Sequence, residues 1–227
     1  MLDRFTTRLI RPAVQALARP LLRWGVLPNH ITWAGFALGV LAAACVASQA
    51  CMAGLALLLC SRLCDALDGA VARASESSTA LGGFLDIALD FVFYALMVLA
   101  FAVADPTRNA LAAAVLLTAF VGTGSSFLAF AALAAQRGLY NPQYPEKSLY
   151  FLGGLTEATE TLALLCAMCL WPAYFAPLAY GFAALCCITW LGRIAAGVRV
   201  LADAPAGPPQ ADQQDKPPAR LGRDGRV

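Results

Sequence analysis

The sequence predicts an all-α membrane protein, a polytopic bundle of six transmembrane helices preceded by an amphipathic interfacial helix. Three observations lead there. The chain is 60% hydrophobic and 13% charged, with a mean hydropathy of +0.67, far too apolar for a soluble domain of 227 residues. Six apolar runs reach the roughly 20 residues that a helix needs to cross the hydrocarbon core. Threading those runs back and forth brings nearly all the basic residues to one side.

From about Leu2 to Trp24, the residues Phe5, Leu9, Ile10, Val14, Leu17, Leu21 and Leu22 recur at helical spacing, with Arg4, Arg8, Arg11 and Arg19 largely between them. Residues 1–27 therefore read as an amphipathic juxtamembrane helix with its arginines near anionic head groups, or as a helix packed on the rest of the protein. No compact apolar region followed by a small-residue cleavage site is evident, so no cleavable signal peptide is expected. In "LPNHIT", Pro28 breaks this first helix and Asn29 or Thr32 is available to N-cap the next. The only histidine, His30, sits at that junction and reads as structural.

The six spans are expected near 29–49, 52–74, 79–104, 108–135, 148–170 and 174–201, forming one domain over 28–202. The breaks "SQAC", "SESS", "DPTRN", "RGLYNPQYPEK" and "WPAYFAP" carry polar, Pro or Gly residues at plausible turns. Residues 203–227, rich in Pro, Gly and charge, read as a disordered cytoplasmic tail. With both termini cytoplasmic, Arg4 to Arg23, Arg62, Arg73, Arg137, Lys147, Arg193 and Arg199 share one side. Arg108, beside Asp105, falls opposite. A short chain without a targeting segment is expected in a bacterial inner membrane. The eight cysteines lie almost entirely in apolar runs and read as small hydrophobes. Cys166 and Cys169 have the spacing of a redox or zinc motif but lack a second ligand pair.

Against this apolar background, "CDALDGAVARASESSTALGGFLDIALD" places Asp65, Asp68, Asp86 and Asp90 where a bilayer makes carboxylates costly. Asp65 and Asp68 are three apart on the second span, and Asp86 and Asp90 four apart on the third, so each pair projects from one helix face. A short turn near Ser75 to Ser78 makes the two helices antiparallel neighbours, and the four carboxylates converge. Crowded in low dielectric they would repel or take up protons unless cations neutralise them. Arg62 and Arg73 are too few to do so. Hard divalent cations suit such oxygen ligands, Mg²⁺ or Mn²⁺ above all, and two ions bridged by shared carboxylates would form a site for displacement at phosphorus. Gly69, Ala72, Gly82 and Gly83 leave the facing surfaces nearly bare, for close helix packing or for a flat base and a diphosphate. Arg73 adds a fixed positive charge able to hold a phosphate.

The run Asp65-x2-Asp68-Gly69-x2-Ala72-Arg73-x8-Gly82-x3-Asp86-x3-Asp90 resembles, at each of its eight fixed positions, the signature of the CDP-alcohol phosphotransferase family. "PNHIT" is similar to the way members of that family begin their first span, and the likeness extends to most of the chain, with the C-terminal tail outside it. The resemblance implies that a phosphatidyl or related group passes from a CDP-linked donor such as CDP-diacylglycerol to an acceptor hydroxyl, releasing CMP, in phospholipid synthesis. Carried over by position, it implies Asp65, Asp68 and Asp86 as metal ligands. Asp90 would be the general base, also near the metals, and Gly69, Ala72, Arg73 and Gly82 would shape the cytidine diphosphate site. A carboxylate suits the role of base, because an alcohol attacking phosphorus must lose its proton.

The signature leaves the small-alcohol acceptor open. Glu157 and Glu160 are intramembrane carboxylates near the start of the fifth span, among Thr156, Thr159 and Thr161, and could hold a polyol or an amino-alcohol cation. Alternatively they cap the helix or pair with Arg193. Arg193, well inside the sixth span, could hold an acceptor phosphate or snorkel to the interface. Arg137 and Lys147 offer further phosphate contacts. Glycerol 3-phosphate is the first expectation, with inositol phosphate, serine, an amino-alcohol or a second lipid open. A divalent-cation transporter would need polar residues continuing through "MAGLALLL" and "FYALMVLAFAV", which are almost entirely apolar. A catalytically idle scaffold would have lost signature positions, and none is lost. The expected partners are thus the CDP-linked donor, the alcohol and membrane lipids, with no nucleic acid; small-residue faces on the third to fifth spans would allow a homodimer.

Overall fold

The computed structural model describes residues 2–75, 77, 79–136 and 155–203, and among these every regular element is a helix. In chain order they are α1 (Leu2–Arg23), α2 (Pro28–Ala47), α3 (Cys51–Ala74), α4 (Ala80–Ala104), α5 (Pro106–Gln136), α6 (Ala158–Leu170) and, after a 3-10 turn at Pro172–Tyr174, α7 (Phe175–Asp203). Four stretches are long and apolar enough to cross a membrane: Pro28–Ala47, Ala80–Ala104, Pro106–Gln136 and Pro172–Ala202. Large apolar side chains point outward from them, Leu111, Val121 and Val198 among them, each more than 60% exposed. Such a surface is stable against lipid and unfavourable against water. The chain is an integral membrane protein.

The ends of the helices follow from local chemistry. Gly25 closes α1 at φ +67°, while its N–H and that of Val26 donate to the carbonyls of Leu22 and Leu21, a left-handed stop that suits glycine. Pro28 then opens α2 at a position whose N–H needs no partner. Sequence expectation put Asn29 or Thr32 at the N-cap. The structure puts Leu27 there and both polar residues inside the helix, because proline at the first position fixes the start. Thr79 caps α4, its hydroxyl accepting from the Gly82 N–H at 3.1 Å. Asp105 does the same for α5, accepting from the Arg108 N–H at 3.2 Å.

The fifth predicted span needs a larger correction. It was expected from 148, but α6 begins at Ala158, with Glu157 as its N-cap and Leu155 and Thr156 in a bend. At 13 residues it rises about 20 Å, short of the hydrocarbon thickness. Residues 148–154, like Arg137, Lys147 and the predicted tail beyond Asp203, lie outside the described residues.

The main core joins α2 to α7 through fully buried Leu58, Phe93, Met97, Phe101, Leu116, Leu165, Met168 and Phe175. Phe101 and Phe175 stack with ring centroids 4.8 Å apart. On α2, Gly35 and Gly39 permit close helix approaches: a Cβ at Gly39 would lie 2.6 Å from the Phe93 ring, and one at Gly35 would lie 2.9 Å from Cys64 Cβ. A second cluster seats α1 on the rest of the protein through Val14 and Ala18, packed with Ile31, Ala70 and Val71. Arg11, Arg19 and Arg23 stay exposed, as do Ile10, Leu17 and Trp24. All eight cysteines are unpaired, in keeping with their reading as apolar residues.

Candidate active site

The sequence reading makes the second and third spans close neighbours, but α2 packs on both α3 and α4 and the two make little direct contact; the aspartates meet across the gap between the end of α3 and the start of α4. Asp65, Asp68 and Asp86 each offer a carboxylate oxygen, and the three oxygens lie within 4.8 Å of one another. Asp68 is buried, Asp65 half-buried and Asp86 exposed, so the group opens toward one side. The Thr32 hydroxyl, from α2, donates to Asp68 Oδ2 at 2.6 Å. Three hard, anionic oxygen donors at this spacing, with an open side, fit a Mg²⁺- or Mn²⁺-sized cation that keeps positions for phosphate or water.

Asp90, one helical turn beyond Asp86, stands outside that trio and is held differently. Arg62 Nη1 donates to Asp90 Oδ1 at 2.5 Å and approaches Asp65 Oδ2 at 3.7 Å. Three of the four aspartates thus lie within 4.8 Å of one another, and Asp90 is joined to them through the guanidinium it shares with Asp65.

The small residues of the signature lie beside the trio. Arg73, exposed in the last turn of α3, folds back so that a Cβ on Gly69 would meet its Nη1 at 3.1 Å. Ala72 is half-buried on the same turn. A Cβ on Gly82 would find only Thr79 Oγ1 at 3.4 Å and Asn29 Oδ1 at 3.6 Å, and one on Gly83 would find nothing within 4 Å. The start of α4 thus leaves open space facing the start of α2.

Glu157, Glu160 and Arg193 form a second polar group. Glu157 and Glu160 make a reciprocal capping box at the start of α6, with the Glu157 N–H donating to Glu160 Oε2 at 3.1 Å. Of the two readings of this pair, the cap is therefore present. Thr161 donates back to the Glu157 carbonyl at 2.9 Å, and Thr156 donates to Thr189 Oγ1 at 3.1 Å. Arg193 is buried, donates from Nη1 to the Thr123 carbonyl of α5 at 3.2 Å, and has Glu157 as an acidic neighbour. Thr123 is followed by Gly124, where a Cβ would lie 2.6 Å from the ring of Phe91 on α4.

Two residues that the sequence reading treats otherwise, Thr32 as a possible N-cap and Arg62 as a counter-charge too weak by itself, touch the aspartates directly. Thr32 shares a spacing of three and seven residues with Gly35 and Gly39, which marks the inward face of α2. Arg62, three residues before Asp65, lies on the aspartate face of α3.

A family profile described as CDP-alcohol phosphatidyltransferase matches residues 25–198. The chain belongs to that family. It is 51% identical over 201 residues to the "Inner membrane protein YnjF" of Escherichia coli, covering 88% of this chain and 97% of that one. Over 81 residues it is 43% identical to an archaetidylinositol phosphate synthase of Methanothermobacter thermautotrophicus, covering 35% of this chain and 42% of that one. Its fold matches the crystal structure of Mycobacterium tuberculosis phosphatidylinositol phosphate synthase with CDP-DAG bound. That match has a TM-score of 0.67 and 22% identity, covering 82% of this chain and 93% of the other. The same enzyme in complex with manganese and citrate matches with a TM-score of 0.64 and 23% identity, over 81% and 88% of the two chains. As a CDP-alcohol phosphatidyltransferase, this membrane protein is a transferase of substituted phosphate groups.

Proposed function

We propose that the protein transfers a phosphatidyl-type group from a CDP-linked lipid, CDP-diacylglycerol in the simplest case, to a phosphorylated polyol, releasing CMP. The observation that carries this reading is the convergence of Asp65, Asp68 and Asp86 oxygens within 4.8 Å inside an intact family signature. In this reading those three residues hold one or two divalent cations, Mg²⁺ or Mn²⁺. When bound, such cations offset the charge of the diphosphate and of the departing CMP.

The chain's own groups do the rest. Gly69, Ala72 and Gly82 leave the α3 and α4 surfaces bare enough for the cytidine diphosphate to lie against them, and Arg73 meets a phosphate. Asp90 takes the proton of the acceptor hydroxyl as its oxygen bonds to phosphorus, and the bond from phosphorus to the CMP oxygen breaks. Holding donor and acceptor at one end of the bundle removes much of the entropic barrier to their meeting.

For the acceptor, inositol phosphate stands ahead of glycerol 3-phosphate. Relatives sharing up to 43% identity over part of the chain are named archaetidylinositol phosphate synthases. Arg193 is the buried cation placed to meet the acceptor phosphate, one helix away from Asp90, with Glu157 and Glu160 fixing the start of α6 beside it.

We further place α2 to α7 as six crossings in a bacterial inner membrane, the short α6 reaching across with the 3-10 turn that follows it and local thinning of the bilayer. The first helix, α1, lies at the interface, its Val14 and Ala18 on the protein and its Ile10 and Leu17 outward. The termini and the aspartates face the cytoplasm, where the exposed arginines of α1 gather.

The test is CMP release by the purified protein with CDP-diacylglycerol, Mn²⁺ and each alcohol in turn. Release with inositol phosphate that falls at least about a hundredfold in Asp90→Asn, while CDP-donor binding persists, is the expected result. Turnover retained in Asp90→Asn would remove Asp90 as the base, and release with glycerol 3-phosphate alone would reverse the choice of acceptor.

A further inference from the structure

The first helix carries more apolar surface than its seat on the protein uses. Val14, Ala18 and Leu21 of α1 form the stripe that packs with Ile31, Ala70 and Val71. A second stripe, Ile10, Leu17 and Trp24, repeats every seven residues and stays exposed. Trp24 is 77% exposed, and the exposed apolar side chains continue through Leu27 to Trp33 in α2. Arg11, Arg19 and Arg23 are exposed as well, and no acidic residue stands between Asp3 and Asp65 to balance them. Among the described residues none of the three makes an ion pair. Pro12 and Pro20 lie inside α1, each without an N–H to donate, so this helix is weak by itself and depends on the surfaces that cover it.

These features fit one partner, a bilayer surface that bears anionic phospholipids. Apolar side chains enter the acyl boundary, indoles sit at head-group depth and arginines meet lipid phosphates. Zwitterionic head groups carry no net charge, so the unbalanced arginines of α1 favour an anionic surface over a neutral one. The position of the seat gives this contact a consequence. Ala70 and Val71 belong to the stretch of α3 that carries Asp68, Gly69, Ala72 and Arg73, and Ile31 precedes Thr32, whose hydroxyl donates to Asp68. We propose that α1 recognises anionic phospholipid, and that its docking on such a surface orders the last turns of α3 and raises the rate of transfer. The proposal rests on the interfacial placement of α1 and, for its effect on turnover, on the transferase reading. Docked on lipid, α1 presses on α3 from a fixed position. Released from lipid, it is held chiefly by two buried side chains, Val14 and Ala18.

The experiment uses the full chain in nanodiscs of phosphatidylcholine, with and without added phosphatidylglycerol, and follows amide hydrogen exchange in α1 and in the last turns of α3. An arginine near an anionic surface favours contact by about fivefold, so exchange in α1 is expected to slow at least about tenfold with phosphatidylglycerol. Exchange in the stretch from Gly69 to Ala74 slows with it. Both differences shrink in the double variant Arg19→Gln/Arg23→Gln, and at high salt, which repeats the comparison without a substitution. CMP release is measured at saturating Mn²⁺ and donor, because a negative surface concentrates cations by itself. It rises at least about threefold with phosphatidylglycerol in the wild type and stays level in the double variant. Exchange in α1 that is equally slow in both lipids would remove the anionic preference and leave α1 at the interface. Equally fast exchange in both would remove the interfacial placement as well. Slower exchange in α1 with no change in α3 would overturn the link to the site. So would a lipid effect on turnover that persists undiminished in the double variant. Slower exchange in both helices of a protein that releases no CMP would uphold the lipid contact and its link to α3, and remove the transferase reading instead.

Discussion

Thr32 shows how one side chain can serve two helices. Its single hydroxyl proton has two acceptors in reach, the Pro28 carbonyl at 3.2 Å within its own helix and Asp68 Oδ2 at 2.6 Å on α3. The shorter contact, to a charged group, is the stronger. It turns Asp68, the most buried of the trio, so that the other carboxylate oxygen is left for the open side. Thr32→Val keeps the shape and removes the donor. The expected outcome is a loss of Mn²⁺ affinity of about tenfold or more, the range seen when a metal ligand loses its outer hydrogen bond, with the melting temperature little changed. Thr32→Ser, which restores a hydroxyl, should regain most of the affinity. Equal Mn²⁺ titrations for wild type and Thr32→Val would show that Asp68 needs no such support. Neither the contact of Thr32 with Asp68 nor that of Arg62 with Asp90 can be read from spacing alone. Spacing assigns a helix face, but which partner waits across that face is decided by the approach of a second helix.

At the scale of elements, the predicted boundaries agree with the structure wherever a single residue dictates the break. "DPTRN" ends one helix and caps the next through Asp105, so α4 and α5 lie within two residues of expectation. The signature aspartates were legible for the same reason, since polar groups three and four apart in an apolar helix can only share a face. The start of α6 was misplaced because hydropathy continues through "LYFLGGL" while the cap that starts the helix, Glu157 with Glu160, comes later. That box defines a test of what the two carboxylates do. Glu160→Gln preserves its hydrogen bond to the Glu157 N–H, whereas Glu160→Ala removes it. Stability should stay near wild type in the first and drop by about 1 kcal/mol in the second, read from thermal unfolding in detergent. If the carboxylate charge itself binds the acceptor, Glu160→Gln would raise acceptor KM despite an intact cap, and that outcome would move Glu160 from a structural role into the site.

The whole molecule divides its polarity unevenly, and that division decides how it lies in the membrane. From Cys51 to Ser61, α3 carries no charge, while Arg62, Asp65, Asp68 and Arg73 crowd the rest of it, toward the start of α4. The exposed arginines of α1 lie at the same end, since α1 seats on Ala70 and Val71 of α3. At the far end are the α2–α3 turn around Gln49, whose side chain donates to the Ala104 carbonyl at 2.9 Å, and the α4–α5 turn at Asp105. An excess of arginine at one end and near-absence at the other favours insertion with the arginine end in the cytoplasm. Truncations fused to alkaline phosphatase, active only outside, and to green fluorescent protein, fluorescent only inside, read this out. Fusions after Gln49, Asp105 and Trp171 should show phosphatase activity, and fusions after Ser77 and at the C-terminus should fluoresce. A fluorescent fusion after Gln49 together with an active one after Ser77 would invert the bundle and place the aspartates outside, away from any cytoplasmic nucleotide. Fluorescence after Asp105 alone would mean that α4 enters and leaves by the cytoplasmic face while α3 still crosses. The apolar far halves of α3 and α4, with Leu58, Met97 and Phe101 fully buried in one core, argue for the full crossing.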